Sequence, residues 1–200
     1  MNFLAHIYLS GPKDLIKIGN FTADGIRGKD YLIYPLEMQV GILLHRKIDS
    51  FTDNHTLFRQ SSKRLYNKYS HYGRVIVDIY YDHFLARNWN NYSNENLNTF
   101  VQNFYKLITE NTSILPPRFQ QLAPHMITGN WLEGYADFDG ITEVLSGMDR
   151  RTELKSGMSS ATEDLKEHYN LFKREFEEFF NELISYSNTQ RELLEEQLLK

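Results

Sequence analysis

Between Leu43 and His55 the chain reads LLHRKIDSFTDNH, thirteen residues that hold two histidines, two aspartates, an arginine and a lysine. His45 and Asp49 are four apart, which on a helix puts them one turn apart on the same face, and Asp53 extends the line. A second stretch, VDIYYDHFLAR, repeats the spacing with Asp78 and Asp82 and sets His83 beside Asp82. These acids lie in a strongly apolar and aromatic run, where a carboxylate needs a partner or a metal. A third piece, GNFTADG, places Asp24 before Gly25, at a helix end or in a turn. Imidazole and carboxylate together form a mixed N/O donor set suited to Mn²⁺, Mg²⁺, Fe²⁺ or Zn²⁺. The chain has no cysteine, so thiolate chemistry and disulfides are excluded and any metal must use N and O ligands.

Each of these residues also has a plainer reading. Asp49 and Asp53 fit ordinary solvated charges, with Asp53 capping the segment that follows. His83 fits a core histidine bonded to a backbone carbonyl. His6, in NFLAH, reads as structural or as a support for ligands. Asp78 fits an ion pair with Arg74, one turn away on the same helix. His71, His125 and His168 have no acid at ligand spacing, apart from Asp164 near His168, and are set aside.

The elements that must position these groups are almost all helices. Val40–Thr52 carries Leu44, Ile48 and Phe51 on one side, opposite the His/Asp line. Arg74–Trp89 repeats the pattern with Val75, Ile76, Ile79, Tyr80 and Phe84. Leu97–Ile108 follows, with SNEN before it as a source of an N-cap. Leu154–Ile184 is the longest pattern, with apolar positions from Leu154 to Leu183. Breakers lie between them: SGPKD (10–14), NNYSNEN (90–96), LPPR (115–118) and SGM (146–148). The pattern predicts an all-α, single-domain helical bundle over residues 1–185 and a charged helical tail over 186–200 that projects or pairs with another copy. At 200 residues such a domain buries roughly 70% of its unfolded surface.

Composition narrows the function classes. Hydrophobic residues make up 41% and charged residues 24%, as in soluble globular proteins. No apolar run approaches the ~20 residues needed to span a bilayer, and no signal peptide is legible, so a cytoplasmic protein is expected. Residues 1–100 carry 12 Lys/Arg and 9 Asp/Glu, a net +3; the remainder carries 10 and 17, a net −7. Five of the nine acids in the first half are the candidates Asp24, Asp49, Asp53, Asp78 and Asp82. That half is otherwise basic, which favours an anionic substrate or an acidic partner. The negative total charge and the lack of a recognised motif argue against nucleic acid.

The blocks MNFLAHIYLS, GNFTADGIRG, GILLHRKIDSFTDNH and GRVIVDIYYDHFLARNW resemble the bacterial acyl carrier protein phosphodiesterases. The likeness spans about residues 1–90 and continues more weakly through NWLEGY and GITEVLSGMDRR. It implies a helical fold related to the HD-domain metal-dependent phosphohydrolases, a need for Mn²⁺ or a similar divalent cation, and removal of 4′-phosphopantetheine from holo-acyl carrier protein. It carries over Asp24, His45, Asp49, Asp82 and His83 as metal and catalytic residues. The usual HD order is not kept, because Asp82-His83 is inverted and His45 and Asp49 are spread over a turn. Asn130, before Trp131, stands where the resemblance leads us to expect an acid.

On this reading Arg46 and Arg27 would offset charge on the phosphoryl group, and His83 or His55 would protonate the leaving serine oxygen. Acyl carrier proteins are strongly acidic, so the basic run with Arg59, Lys63, Arg64 and Lys68 is expected to steer docking. Two other readings stay open: a metal phosphohydrolase acting on a nucleotide or another phosphodiester, and a non-catalytic module that binds the carrier protein.

Overall fold

The computed structural model describes residues 2–199; Met1 and Lys200 lie outside them. The chain runs through helices α1 (Phe3–Leu9), α2 (Asp14–Thr22), α3 (Leu36–Asn54), α4 (Thr56–Tyr69) and α5 (Gly73–Arg87). It continues through α6 (Leu97–Glu110), α7 (Pro117–Thr128), α8 (Trp131–Gly134) and α9 (Phe138–Arg151), and ends with α10 (Ala161–Glu167) and α11 (Tyr169–Leu198). The described residues contain no strand, so the fold is all-α as expected. None of their helices is long and apolar enough to cross a membrane.

Helices α2 and α3 cross closely, and glycine permits it. A β-carbon on Gly19 would stand 2.1 Å from the Met38 carbonyl oxygen, and one on Gly41 would stand 2.1 Å from that of Ile16. With both side chains reduced to hydrogen the two backbones nearly touch. Asn20, next to Gly19, thereby comes within reach of the α3 residue His45.

Helix α5 is the central element, which explains its nearly continuous apolar sequence. Ile76, Val77, Ile79, Tyr80, Tyr81, Phe84 and Leu85 are all fully buried. It packs against α1, α4, α9 and α11. Helix α11 supplies Phe172, Phe176, Phe179, Phe180 and Leu183, also fully buried, each stabilising the fold by about 1.5–3 kcal/mol.

Boundaries differ from the sequence reading in three places. The pattern from Leu154 onward is not one helix. Glu153 and Leu154 take positive φ (56° and 61°), and Gly157 follows at 66°, so the chain turns sharply before α10 begins. The SGM segment, read as a breaker, lies inside α9. The SNEN cap forms as expected, with the Thr99 amide donating to Asn96 Oδ1 at 2.8 Å. The expected boundary at 185/186 falls within α11. That helix does not project: Ser187 and Leu194 are buried, and Lys13 Nζ lies 2.7 Å from Glu195.

Candidate metal centre

Four side chains converge where α1, α2 and α3 meet. His6 comes from α1, His45 and Asp49 from α3, and Asp24 from the 3-10 turn Ala23–Gly25 that ends α2. His45 Nε2 lies 3.0 Å from Asp49 Oδ2 and 3.2 Å from Asp24 Oδ1. His6 Nε2 lies 3.2 Å from the other Asp49 oxygen. The two imidazoles are stacked, with ring centroids 3.9 Å apart. His6 and His45 are buried, whereas the Asp24 side chain is 59% exposed, so the cluster opens to solvent on its carboxylate side.

One residue orients both rings. Asn20 is fully buried. Its amide nitrogen donates to the His6 carbonyl and to Ser10 Oγ, each at 2.9 Å, which leaves Oδ1 to accept from His6 Nδ1–H at 2.8 Å. Its backbone carbonyl accepts from His45 Nδ1–H, also at 2.8 Å. Both Nε2 atoms are thereby turned toward the carboxylates, an arrangement usual for metal-binding histidines.

The charges are tightly coupled. Burial alone would lower the pKa of His45, but its hydrogen bonds to Asp24 and Asp49 outweigh burial and hold it up at about 9. His6 is pushed down to about 4, by burial first and by the neighbouring His45 next. The hydrogen bond from His45 lowers Asp24. Burial pushes Asp49 up, yet hydrogen bonding, with His45 first, more than reverses this and leaves it well below the usual carboxylate range.

This donor set fits a divalent cation. His6 Nδ1–H is committed to Asn20, so the neutral ring aims an unprotonated Nε2 at an Asp49 oxygen 3.2 Å away. Two acceptors facing each other repel, and a cation between them removes the conflict. Among the described residues, one group of this kind has donor atoms all within 4.8 Å of one another: His6, His45 and Asp49. The set is of the N/O type that the cysteine-free composition requires.

Other expected site residues lie elsewhere. Asp82 is fully buried and accepts from the amides of Leu4 (2.8 Å) and Ala5 (3.3 Å), capping the N-terminus of α1 from outside. Burial pushes it up to about 7. It anchors the helix that carries His6 and is not one of the clustered donors. His83 is the core histidine of the plainer reading. Its Nδ1–H donates to the Tyr135 carbonyl at 2.7 Å, and its Nε2 meets Tyr169 Oη at 3.3 Å. His55 caps α4, accepting from the Leu57 amide at 3.3 Å, and faces Glu182. Arg46 donates to the carbonyls of Gly28 (2.9 Å) and Ile26 (3.2 Å), so it holds the loop after Asp24. Asp53 pairs with Arg74, at 3.2 Å.

The expected docking ridge is largely spent on internal contacts. Arg59 donates to the Asp53 carbonyl and to Asn54 Oδ1. Arg64 grips the buried Glu175 with both amino groups, at 2.9 and 2.7 Å. Lys68 pairs with Asp164 at 2.8 Å. Lys63 and Arg27 are exposed. Asn130 has a backbone role: it takes φ 46°, a left-handed conformation that asparagine tolerates better than most residues, and donates to Glu133.

Sequence reasoning underrated His6 and missed Asn20. A histidine on a seven-residue helix of mostly buried side chains looks like core, and Asn20 shows its role only once α2 and α3 cross.

Asp24 also lines a cavity of about 750 Å³. Its walls include Asp78, apolar Val75, Ile79, Leu122, Trp131 and Met148, and the cations Arg118, Arg150 and Arg151. Burial raises the pKa of Asp78. An elongated substrate in this cavity would reach the cluster at Asp24.

A family model described as acyl carrier protein phosphodiesterase matches residues 1–183. The chain belongs to the acyl carrier protein phosphodiesterase family. The match takes in His6, Asn20, Asp24, His45 and Asp49. A family member from Photorhabdus laumondii subsp. laumondii, bearing that same name, is 35% identical over 90% of this chain and 91% of its own length. One from Pectobacterium atrosepticum is 31% identical over 96% of this chain and 100% of its own, and one from Yersinia pestis is 34% identical over 84% and 88%. No solved structure matches the chain.

Proposed function

We propose that this chain hydrolyses the phosphodiester joining 4′-phosphopantetheine to a serine of acyl carrier protein, releasing the apo-carrier protein. We further propose that it uses a divalent cation, Mn²⁺ in the first place, held by His6, His45 and Asp49 with Asp24 at the open edge. The observation that carries this reading is that Asp24 belongs both to the His/Asp cluster and to the cavity beside it. The names of the family members supply the substrate.

A bound divalent cation brings water to hydroxide near neutral pH and offsets charge on phosphoryl oxygens. The remaining work falls to the chain. Asn20 keeps both Nε2 atoms aimed at one point. Asp24 and Asp49 balance the charge there. The apolar cavity wall suits the aliphatic stretches of the pantetheine arm, and Arg118, Arg150 and Arg151 are the cations available to its anionic end. The leaving serine oxygen needs a proton. In place of His83 and His55 we assign that role to Asp78, a carboxyl on the same cavity wall that burial keeps easier to protonate.

The test is to incubate holo-carrier protein with this protein and Mn²⁺ and to follow the intact mass of the carrier. Loss of the phosphopantetheine mass, abolished by a chelator, is the expected result. Turnover of nucleotides instead of the carrier would favour the general phosphohydrolase, and carrier binding without mass loss would favour the non-catalytic module.

A further inference from the structure

Seven large apolar side chains stand exposed among the described residues, and three of them fall within five positions: Leu32 (56%), Ile33 (82%) and Leu36 (53%). They lie on the segment between Asp24 and the α3 residues His45 and Asp49. The segment is pinned from α3. Arg46 donates to two of its carbonyls and lies over the Tyr31 ring, 5.3 Å from the centroid. Gln39 donates to the Tyr34 carbonyl at 2.8 Å. An apolar knuckle held outward in fixed shape marks an interaction site, and its rigidity means little freedom is lost on binding.

Charge narrows the partner. Arg27 and Lys29 are exposed on the same segment, with Asp30 as its one acid. Arg118 joins them, because Gly25 packs against Phe119, the next residue along. None of these three cations has an ion pair among the described residues, unlike Arg64 and Lys68 of the expected ridge. Such a surface suits an acidic protein with an apolar spot.

We infer that the segment from Gly25 to Leu36 is the docking surface for the polypeptide of the carrier protein. This rests on the reaction proposed above. The scissile phosphodiester is attached directly to a serine side chain. Whenever the phosphorus reaches the cluster, the carrier backbone therefore lies one short side chain away, and the rim beside Asp24 has to meet it. An acidic carrier surface meets Arg27, Lys29 and Arg118, while its apolar residues cover Leu32, Ile33 and Leu36.

The test uses Ile33→Glu and the milder pair Leu32→Ser/Ile33→Ser, all at exposed positions. The readouts are release of phosphopantetheine from holo-carrier protein, direct titration with apo-carrier protein, and hydrolysis of bis(4-nitrophenyl) phosphate. The KM for holo-carrier should rise about tenfold or more, as for loss of an interface anchor, with parallel weakening of apo-carrier binding. Hydrolysis of the small diester should not change. Wild-type protein that releases the arm with a KM indifferent to Ile33 would overturn the docking surface and leave the reaction standing. Wild-type protein that binds apo-carrier through Ile33 yet releases nothing would do the reverse. A wild-type dimer that Ile33→Glu dissociates would assign the knuckle to a second copy of the chain and overturn the inference.

Discussion

Replacing Asp49 by asparagine isolates the metal reading from everything else. Asp49 is the one residue whose carboxylate meets both rings, at 3.0 Å from His45 Nε2 and 3.2 Å from His6 Nε2. Asparagine keeps the shape but removes the charge and one acceptor. Mn²⁺ at 100 times its wild-type Kd adds about 2.7 kcal/mol to folding stability by linkage. For a chain of 200 residues, each kcal/mol moves Tm by about 2–4 °C, so the wild-type melt should rise by about 5–10 °C. Residues that merely support a ligand change metal affinity by about 10–100-fold, so losing a direct carboxylate should cost at least the upper value. The same Mn²⁺ concentration then sits near the variant's Kd, where linkage supplies only about 0.4 kcal/mol and a shift of about 1–2 °C. Chelator-treated protein of each kind provides its own baseline, so any direct effect of the substitution on folding cancels. Scanning calorimetry with and without Mn²⁺ measures both shifts. An equal shift in Asp49→Asn and wild type would remove Asp49 from the site, and a wild type indifferent to Mn²⁺, Mg²⁺, Fe²⁺ and Zn²⁺ alike would refute the metal reading.

The same coupling sets a pH dependence. His45 is raised from its ordinary 6.5 to about 9, so its contribution to the stability of metal-free protein is complete below about 6.5 and is lost as pH rises through about 9, and metal binding must displace its proton. Mn²⁺ affinity should therefore climb with pH up to about 9 while the metal-free Tm falls; a titration with a flat affinity over that range would contradict this. Asn20→Ala should weaken Mn²⁺ binding about 10–100-fold, measured by calorimetric titration, and an unchanged Kd would show that the rings hold their orientation without it. Asp82→Ala should lose about 1–3 kcal/mol in a urea melt, because the buried amides of Leu4 and Ala5 lose their acceptor; no loss would mean that water replaces the carboxylate. Asp78→Asn should slow release of the carrier serine far more than release of nitrophenolate, a leaving group that needs no proton, and equal slowing would deny Asp78 the role of acid.

Helices α3, α5 and α6 and the His45–Asp49 pair were legible because each is set by local spacing. What was not legible depends on which neighbour a face meets. Asp82 and His83 look like one doublet, yet successive residues on a helix point about 100° apart. On a helix buried on all sides, those two directions lead to different places: Asp82 to the start of α1, His83 to Tyr135 and Tyr169. Arg64 reads as a free cation until α11 brings Glu175 to it from 111 residues away. The long apolar pattern after Leu154 misled for another reason. Its periodicity continues across a turn whose positive φ values fall at Glu153, Leu154 and Gly157, and of these only glycine announces such a conformation.

The blocks that carried the family resemblance divide their labour in a way that spacing alone does not reveal. GNFTAD contributes Asp24 to the cluster, but its Gly19 sets the depth of the helix crossing and its Asn20 sets both ring tautomers. YDHF contributes nothing to the cluster directly, yet its Asp82 ties down the first turn of the helix that delivers His6. A donor set of two histidines and two aspartates is common surface chemistry. What distinguishes this one is that its imidazoles are buried, stacked and turned by a single residue, while its carboxylates stay open toward a cavity. Substitutions at Gly19, Asn20 and Asp82 should therefore reduce metal binding without touching a ligand. Of the three, Gly19→Ala is the sharpest: its new β-carbon meets the Met38 carbonyl and must push α2 off α3. That movement separates the Asn20 carbonyl from His45, so Mn²⁺ affinity should fall together with the metal-free Tm. A variant that lost stability but kept its Kd for Mn²⁺ would show that the crossing holds the fold and not the site.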